Sequence, residues 1–247
     1  MKVWYSINNF PTFSASLRHY QKTPHQQQCS MKNGVYLGDC LELMKDVPED
    51  AFFISDPPYN QKYHYSTYGD NLSTSEYCEL LWGAFKGKKA VVILYPEETV
   101  NLLGGGVMGG VQQVVSWVYN SNTAKQSRLI SWFNCKPDMT KIPQPHKNPT
   151  DKRIAKRIAE GKSARAYDWW EINQVKNVSK KDNPHPCPIP YELARRIILS
   201  TTKEGDTVCD PFAGSGTVLK VAKDTGRKYI GFDLDPAYVA YANKILS

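Results

Sequence analysis

Ala51-Phe52-Phe53-Ile54-Ser55-Asp56-Pro57-Pro58-Tyr59-Asn60 runs from continuous apolar residues straight into a stiff polar turn. Such a run without alternation fits a parallel strand covered on both faces. Its carboxyl end then delivers a carboxylate, two φ-locked prolines and a tyrosine to one place. Far downstream, Val208-Cys209-Asp210-Pro211-Phe212-Ala213-Gly214-Ser215-Gly216-Thr217 repeats the scheme. Here a strand enters a glycine-rich turn at the mouth of a helix. Glycines at 214 and 216 allow a sharp turn and a close approach of backbone to a ligand. The free N–H groups of the helix that follows point at the same spot.

Between and around these stretches the pattern alternates. Strands are expected at Val35–Leu37, Ala51–Ser55, Ala90–Tyr95, Val111–Tyr119, Ser127–Phe133, Thr207–Cys209 and Tyr229–Phe232. Helices are expected at Leu41–Lys45, Ser75–Phe85, Thr150–Glu160, Pro190–Ser200, Thr217–Thr225 and Pro236–Leu246. Strands alternating with helices predict an α/β fold with a mostly parallel, doubly wound sheet. Length agrees, because 247 residues fit one such domain carrying an insertion.

Composition supports a packed core at 41% hydrophobic residues. No apolar run reaches the roughly 18 residues of a membrane span, and no signal-peptide core is evident, so a cytoplasmic protein is expected. The six cysteines are scattered, without CxxC pairs or metal-ligand spacing, which predicts reduced thiols and no metal site.

The net charge of +7 is unevenly placed. Residues 136–182 hold twelve Lys or Arg against six Asp or Glu, and residues 1–30 hold three bases and no acid. A near-neutral body with a basic insertion predicts a polyanionic partner gripped by that insertion. Residues 1–30, polar and aperiodic, read as a poorly ordered extension. The main domain then comprises 31–135 and 183–247, with 136–182 a recognition insertion whose Trp169 and Trp170 form its own core.

The pair of turns, Asp-Pro-Pro-Tyr and Asp-Pro-Phe-Ala-Gly-Ser-Gly-Thr, resembles the DNA amino-methyltransferases, in the permuted order of their beta class. The resemblance covers residues 34–135 and 183–247. It implies a Rossmann-like methyltransferase fold with S-adenosylmethionine as cofactor and double-stranded DNA as partner. It also implies methyl transfer to an exocyclic amine of adenine or cytosine at a specific site. Asp56, Pro57, Pro58 and Tyr59 become the catalytic residues. Asp56 and the Pro57 carbonyl would accept the two amine N–H bonds, and Tyr59 would stack on the flipped base. Asp210, Phe212, Ala213, Gly214, Ser215, Gly216 and Thr217 become the methionine-binding turn. Asp233 is the matched ribose-binding acid, and Asp39 borders the adenine end.

Asn183–Pro190 resembles a family segment that normally reads His-Pro-Thr-Gln-Lys-Pro. His185, Pro186 and Pro190 match, whereas Cys187, Pro188 and Ile189 replace Thr, Gln and Lys. That departure removes a cation from beside the cofactor carboxylate. Family tendency ties Asp at position 56 to adenine N6, although Pro-Cys-Pro-Ile-Pro also occurs among cytosine-N4 enzymes. A homodimer and a cognate restriction endonuclease remain open as partners. So do a silent DNA-binding protein that keeps the cofactor fold, and an RNA or protein substrate.

Overall fold

The computed structural model describes residues 31–63, 65–104, 108–175 and 183–247. The extension expected at 1–30 lies outside the described residues. In chain order the elements are β1 (Gly34–Leu37), α1 (Cys40–Leu43), β2 (Phe52–Ser55), α2 (Thr74–Phe85), β3 (Lys89–Leu94), α3 (Pro96–Gly104), β4 (Val111–Val118) and β5 (Ser127–Phe133). They continue with β6 (Pro143–Gln144), α4 (Lys152–Ala159), β7 (Ala164–Arg165), β8 (Trp169–Glu171), α5 (Tyr191–Thr201), β9 (Thr207–Asp210), α6 (Thr217–Asp224), β10 (Lys228–Asp233) and α7 (Pro236–Leu246).

Eight strands form one sheet in the order β1-β10-β9-β2-β3-β5-β4-β8. The first five run parallel, β5 is antiparallel to both its neighbours, and β8 lies parallel to β4. The fold is therefore the expected doubly wound, Rossmann-like α/β domain. The unbroken apolar strands are explained by cover on both faces. On one face Ile54, Val91, Ile93 and Val208 pack against Leu193 and Ile197 of α5, Leu219 of α6 and Ala242 of α7. On the other, Phe53, Ala90, Val92 and Cys209 pack with Cys40 of α1, Tyr77 and Leu81 of α2 and Leu102 of α3.

Local chemistry sets the element ends. α2 starts in a capping box: Ser73 accepts from the Glu76 N–H while the Glu76 carboxylate accepts from the Ser73 N–H, satisfying two orphan donors of the first turn. α7 takes Asp235 as its cap and Pro236 in its first turn, where a missing N–H costs nothing.

Two features depart from the expected plan. α3 follows β3 immediately and was not anticipated. More consequentially, residues 169–171 of the 136–182 segment belong to the main sheet. β8 pairs with β4 in parallel, and Trp170 is buried edge-on against Trp132 with ring centroids 6.2 Å apart. The Trp117 indole N–H also donates to the Ile172 carbonyl, at 2.7 Å. Trp170 thus belongs to the core of the domain, while Trp169 is 41% exposed. A three-residue strand inside a proline- and lysine-rich stretch carries no periodic signal. Elsewhere among the described residues of the segment, β6 and β7 pair with each other, and α4 buries none of its residues.

Candidate functional site

β1, β10, β9 and β2 are neighbours and parallel, so their carboxyl ends open on one edge of the sheet. Doubly wound sheets bind ligands at that edge, where successive connections leave in opposite directions. Here the reversal lies between β9, whose helix α6 covers one face, and β2, whose helix α2 covers the other. A cleft of about 250 Å³ occupies the spot. It is lined by Gly38 and Asp39 after β1, Asp56 to Tyr59 after β2, Phe212 after β9, Asp233 at the end of β10, and His185. The structure therefore gathers every one of the four catalytic candidates, together with Asp39, Asp233, Phe212 and His185.

Asp233 is aimed by the backbone. One carboxylate oxygen accepts from the Gly214 N–H at 2.8 Å and the other from the Asp235 N–H at 2.9 Å. Burial raises its pKa against those hydrogen bonds. Asp39 caps α1, accepting from the Leu41 N–H at 2.8 Å. The Gly38 N–H donates to the Asp233 carbonyl at 3.0 Å, which holds the two acids beside each other. Phe212 and Leu234 give this end of the cleft apolar walls. Two carboxylates at one end of an apolar slot suit a ligand carrying vicinal hydroxyls and a planar base.

The glycine turn behaves differently from expectation. Gly214 and Gly216 are left-handed, at φ +50° and +75°, which explains glycine there. The space beside them is filled by protein, however. A Cβ on Gly214 would lie 2.8 Å from His185 Nε2, and one on Gly216 would lie 2.8 Å from the Ala242 Cβ. Residues 213–217 are not among those that line the cleft, and the Ser215 and Thr217 hydroxyls bond to each other at 2.9 Å. Asp210 is buried and does not line the cleft either. It accepts from the Ser55 hydroxyl at 2.6 Å and from the Phe212 N–H at 3.1 Å, which ties the β2 turn to the β9 turn. Burial pushes its pKa up to about 7, opposed by those two donors.

His185 is neutral. Burial depresses its pKa to about 4, its Nδ1 accepts from the Cys187 N–H at 3.3 Å, and its ring stands edge-on to Tyr238 with centroids 4.9 Å apart. Among the described residues, no Lys or Arg lines the cleft in place of the cation missing from residues 187–189.

At the other end of the cleft the Asp56 side chain is 13% exposed. Burial pushes its pKa up to about 6, with the Arg128 guanidinium opposing. One Asp56 oxygen accepts from the Tyr59 hydroxyl, and the other lies 3.8 Å from Arg128. The Tyr77 hydroxyl donates to the Pro58 carbonyl at 2.7 Å, bracing the turn from α2.

Sequence reading missed the residues that hold this turn in place. Asp70 is buried and accepts from the Asn60, Gln61 and Tyr63 N–H groups at 2.8–2.9 Å. That collects a chain whose Asn60 and Lys62 both have positive φ. Tyr65 and Tyr68 of the same loop line the cleft. Arg128 was also missed. Its signal was available, because strand alternation places a lone arginine on the same inward face as Ile130 and Trp132.

Comparison with solved structures places the fold among DNA methyltransferases. The PvuII DNA methyltransferase (cytosine-N4-specific) superimposes with a TM-score of 0.64 at 20% identity, over 88% of each chain. The M1.HpyAVI–SAM complex does so with a TM-score of 0.59 at 19% identity, over 87% of this chain and 98% of that one. In sequence, Type II methyltransferase M.HpaI of Haemophilus parainfluenzae is 25% identical over 244 residues, covering 87% of this chain and 74% of its own. The DNA methylase family model N6_N4_Mtase matches residues 111–244, more than half of the chain. The protein belongs to the N6_N4 DNA methylase family.

Proposed function

We propose that this chain is a site-specific DNA methyltransferase that moves the methyl group of S-adenosylmethionine onto the N6 amine of an adenine rotated out of the duplex. DNA amino-methylation is the activity of the family. Adenine rests on the acid at position 56, and the reading as a whole is carried by the placement of Asp56 and Tyr59 in one cleft with Asp233. M1.HpyAVI, with a matching fold, was solved as a SAM complex, and the donor set here fits that group. Asp233 would take the ribose hydroxyls, Asp39 would border the adenine end, and Phe212 with Leu234 would supply apolar walls. The turn Ala213–Thr217 would back the methionine end from beside Phe212 and His185, its Ala213, Gly214 and Gly216 N–H groups being donated within the protein. Bound S-adenosylmethionine supplies an electrophilic sulfonium methyl.

The chain's own residues handle the amine. An exocyclic amine is a weak nucleophile because its lone pair is delocalised into the ring. Asp56 and the Pro57 carbonyl accept its two N–H bonds and favour a tetrahedral nitrogen. Prolines 57 and 58 hold those acceptors still, so they meet the developing positive charge without reorganising. The Tyr59 ring stacks on the base, a contact worth roughly 1–3 kcal/mol. Asp56 or water takes the surplus proton after transfer. The basic segment around Lys152, Arg153, Lys156 and Arg157 of exposed α4 is the surface assigned to the duplex, with lysines and arginines on phosphates.

Incubation with methyl-tritiated S-adenosylmethionine and unmethylated duplex, followed by nucleoside analysis, tests this. N6-methyladenine that vanishes in Asp56→Ala is the expected result. N4-methylcytosine would keep the chemistry and replace the base. Unlabelled DNA from folded, cofactor-bound protein would overturn the reading.

A further inference from the structure

Arg128 sits where a permanent structural arginine would be poorly served. It is 8% exposed, and its guanidinium carbon lies 4.5 Å from the Tyr59 ring centroid, 5.2 Å from Tyr95, 5.0 Å from Trp117 and 5.5 Å from Tyr119. Four aromatic rings, from the β2 turn, the end of β3 and the end of β4, thus box one planar cation carried by β5. Its nearest carboxylate oxygen, on Asp56, is 3.8 Å away, longer than a hydrogen bond. Among the described residues the buried Arg128 Nε has no hydrogen-bond partner. The side chain is held by ring faces, a loose ion pair and side-chain contacts to Tyr95 and Tyr119, with its Nε left over.

We propose that Arg128 occupies the target-base slot of the DNA-free protein and acts as a specificity-determining residue that an entering base must displace. The proposal rests on the reading of Asp56 and Tyr59 as the methylation site. A guanidinium is flat, stacks on Tyr59 and presents N–H groups toward Asp56. A flipped adenine or cytosine offers the same three properties along its amine edge. Guanine and thymine turn a carbonyl toward Asp56 at the corresponding position. When one of them enters, Arg128 leaves a buried carboxylate facing an oxygen, a repulsive element against the wrong base. An amine-bearing base replaces both the stack and the N–H contact, so only it compensates for the departure. The rings that favour the guanidinium cation then surround a base whose amine gains positive charge during transfer.

The test compares wild type with Arg128→Ala, both loaded with S-adenosylmethionine, on unmethylated duplex. Guanidinium chloride is added at millimolar concentration against matched potassium chloride. Thermal melting and cofactor affinity establish that the variant is folded. Guanidinium is expected to inhibit the variant competitively with DNA, with roughly tenfold greater sensitivity than wild type, because the emptied box accepts the free cation. Guanidinium that restores lost activity would show that Arg128 assists the reaction in place, and would overturn the proposal. Equal sensitivity of the two proteins would also overturn it. Arg128→Val, whose short β-branched chain suits a strand and still leaves the box open, carries the same comparison if the alanine variant melts early. A wild type that methylates no base removes the functional reading and this inference with it; an active wild type with guanidinium rescue removes the inference alone.

Discussion

Two turns in this protein begin with nearly the same chemistry and end in opposite roles. Ser55-Asp56-Pro57 and Cys209-Asp210-Pro211 each close a parallel strand, and the strands are neighbours in the sheet. Asp56 faces the cleft, pairs loosely with Arg128 and accepts from Tyr59. Asp210 turns away from the cleft and binds the other turn through Ser55. Burial raises the pKa of both carboxyls, to about 6 and about 7. The difference teaches that an Asp-Pro turn at a strand end supplies a carboxylate but does not choose its task. What stands opposite chooses: open cleft for one, the Ser55 hydroxyl for the other.

The widest separation is expected in activity. Asp56→Ala should lower kcat by about 10²–10³ or more, the scale of removing one preorganised group that faces developing charge, while cofactor affinity stays near wild type. Asp210→Ala should give the reverse pattern. It leaves the buried Ser55 hydroxyl and the Phe212 N–H without their acceptor, which costs about 1–3 kcal/mol of unfolding free energy, and weakens cofactor binding through the displaced Phe212. Equilibrium denaturation and cofactor titration on the two variants read both effects. Equal loss of stability in the two would erase the distinction.

Both turns were legible in the sequence because proline and glycine impose geometry locally. Asp56-Pro57-Pro58-Tyr59 and the Gly214–Gly216 turn need no distant residue to take their shape. The acids at 39 and 233 were legible for a related reason, since each directly follows or ends a short strand. The residues that finish the site are of another kind. Arg128 acquires meaning from Tyr95, at the end of β3, and from Trp117 and Tyr119, at the end of β4, and Asp70 from backbone groups seven to ten residues away. Trp170 looked like part of a basic insertion because its neighbours in sequence are charged, while its neighbours in space are Trp132 and the sheet. Glycines 214 and 216 do take the left-handed turn expected of them, but the atoms crowding them come from His185 and Ala242.

A pH series sharpens the comparison next. Below its pKa Asp56 cannot accept as a carboxylate, so kcat/KM for wild type should fall with an acid limb near pH 6, well above an ordinary aspartate. Stability should move in the other direction. Asp210 binds its proton more tightly folded than unfolded, so between its ordinary value of 3.8 and about 7 the native state holds the extra proton. Stability from this group therefore declines as pH rises through that window and is greatest below it, by an amount on the order of a few kcal/mol. Asp210→Asn should flatten that slope while leaving the acid limb of activity near 6. An acid limb that shifts with Asp210→Asn would mean the two carboxyls titrate as one unit.

The smallest effect separates the turns by their backbones. Gly216→Ala places a Cβ 2.8 Å from the Ala242 Cβ at a φ of +75°, and α7 has to shift to make room. A left-handed alanine costs on the order of 1–2 kcal/mol by itself, and the contact with Ala242 adds to it. Melting temperature should drop by several degrees. The Asp56 turn lies across the β9–β2 boundary from α7, so kcat at saturating cofactor should hold while cofactor affinity weakens. A loss of kcat in Gly216→Ala would show that the glycine turn reaches the reacting amine as well as the cofactor, and would dissolve the division of labour between the two halves.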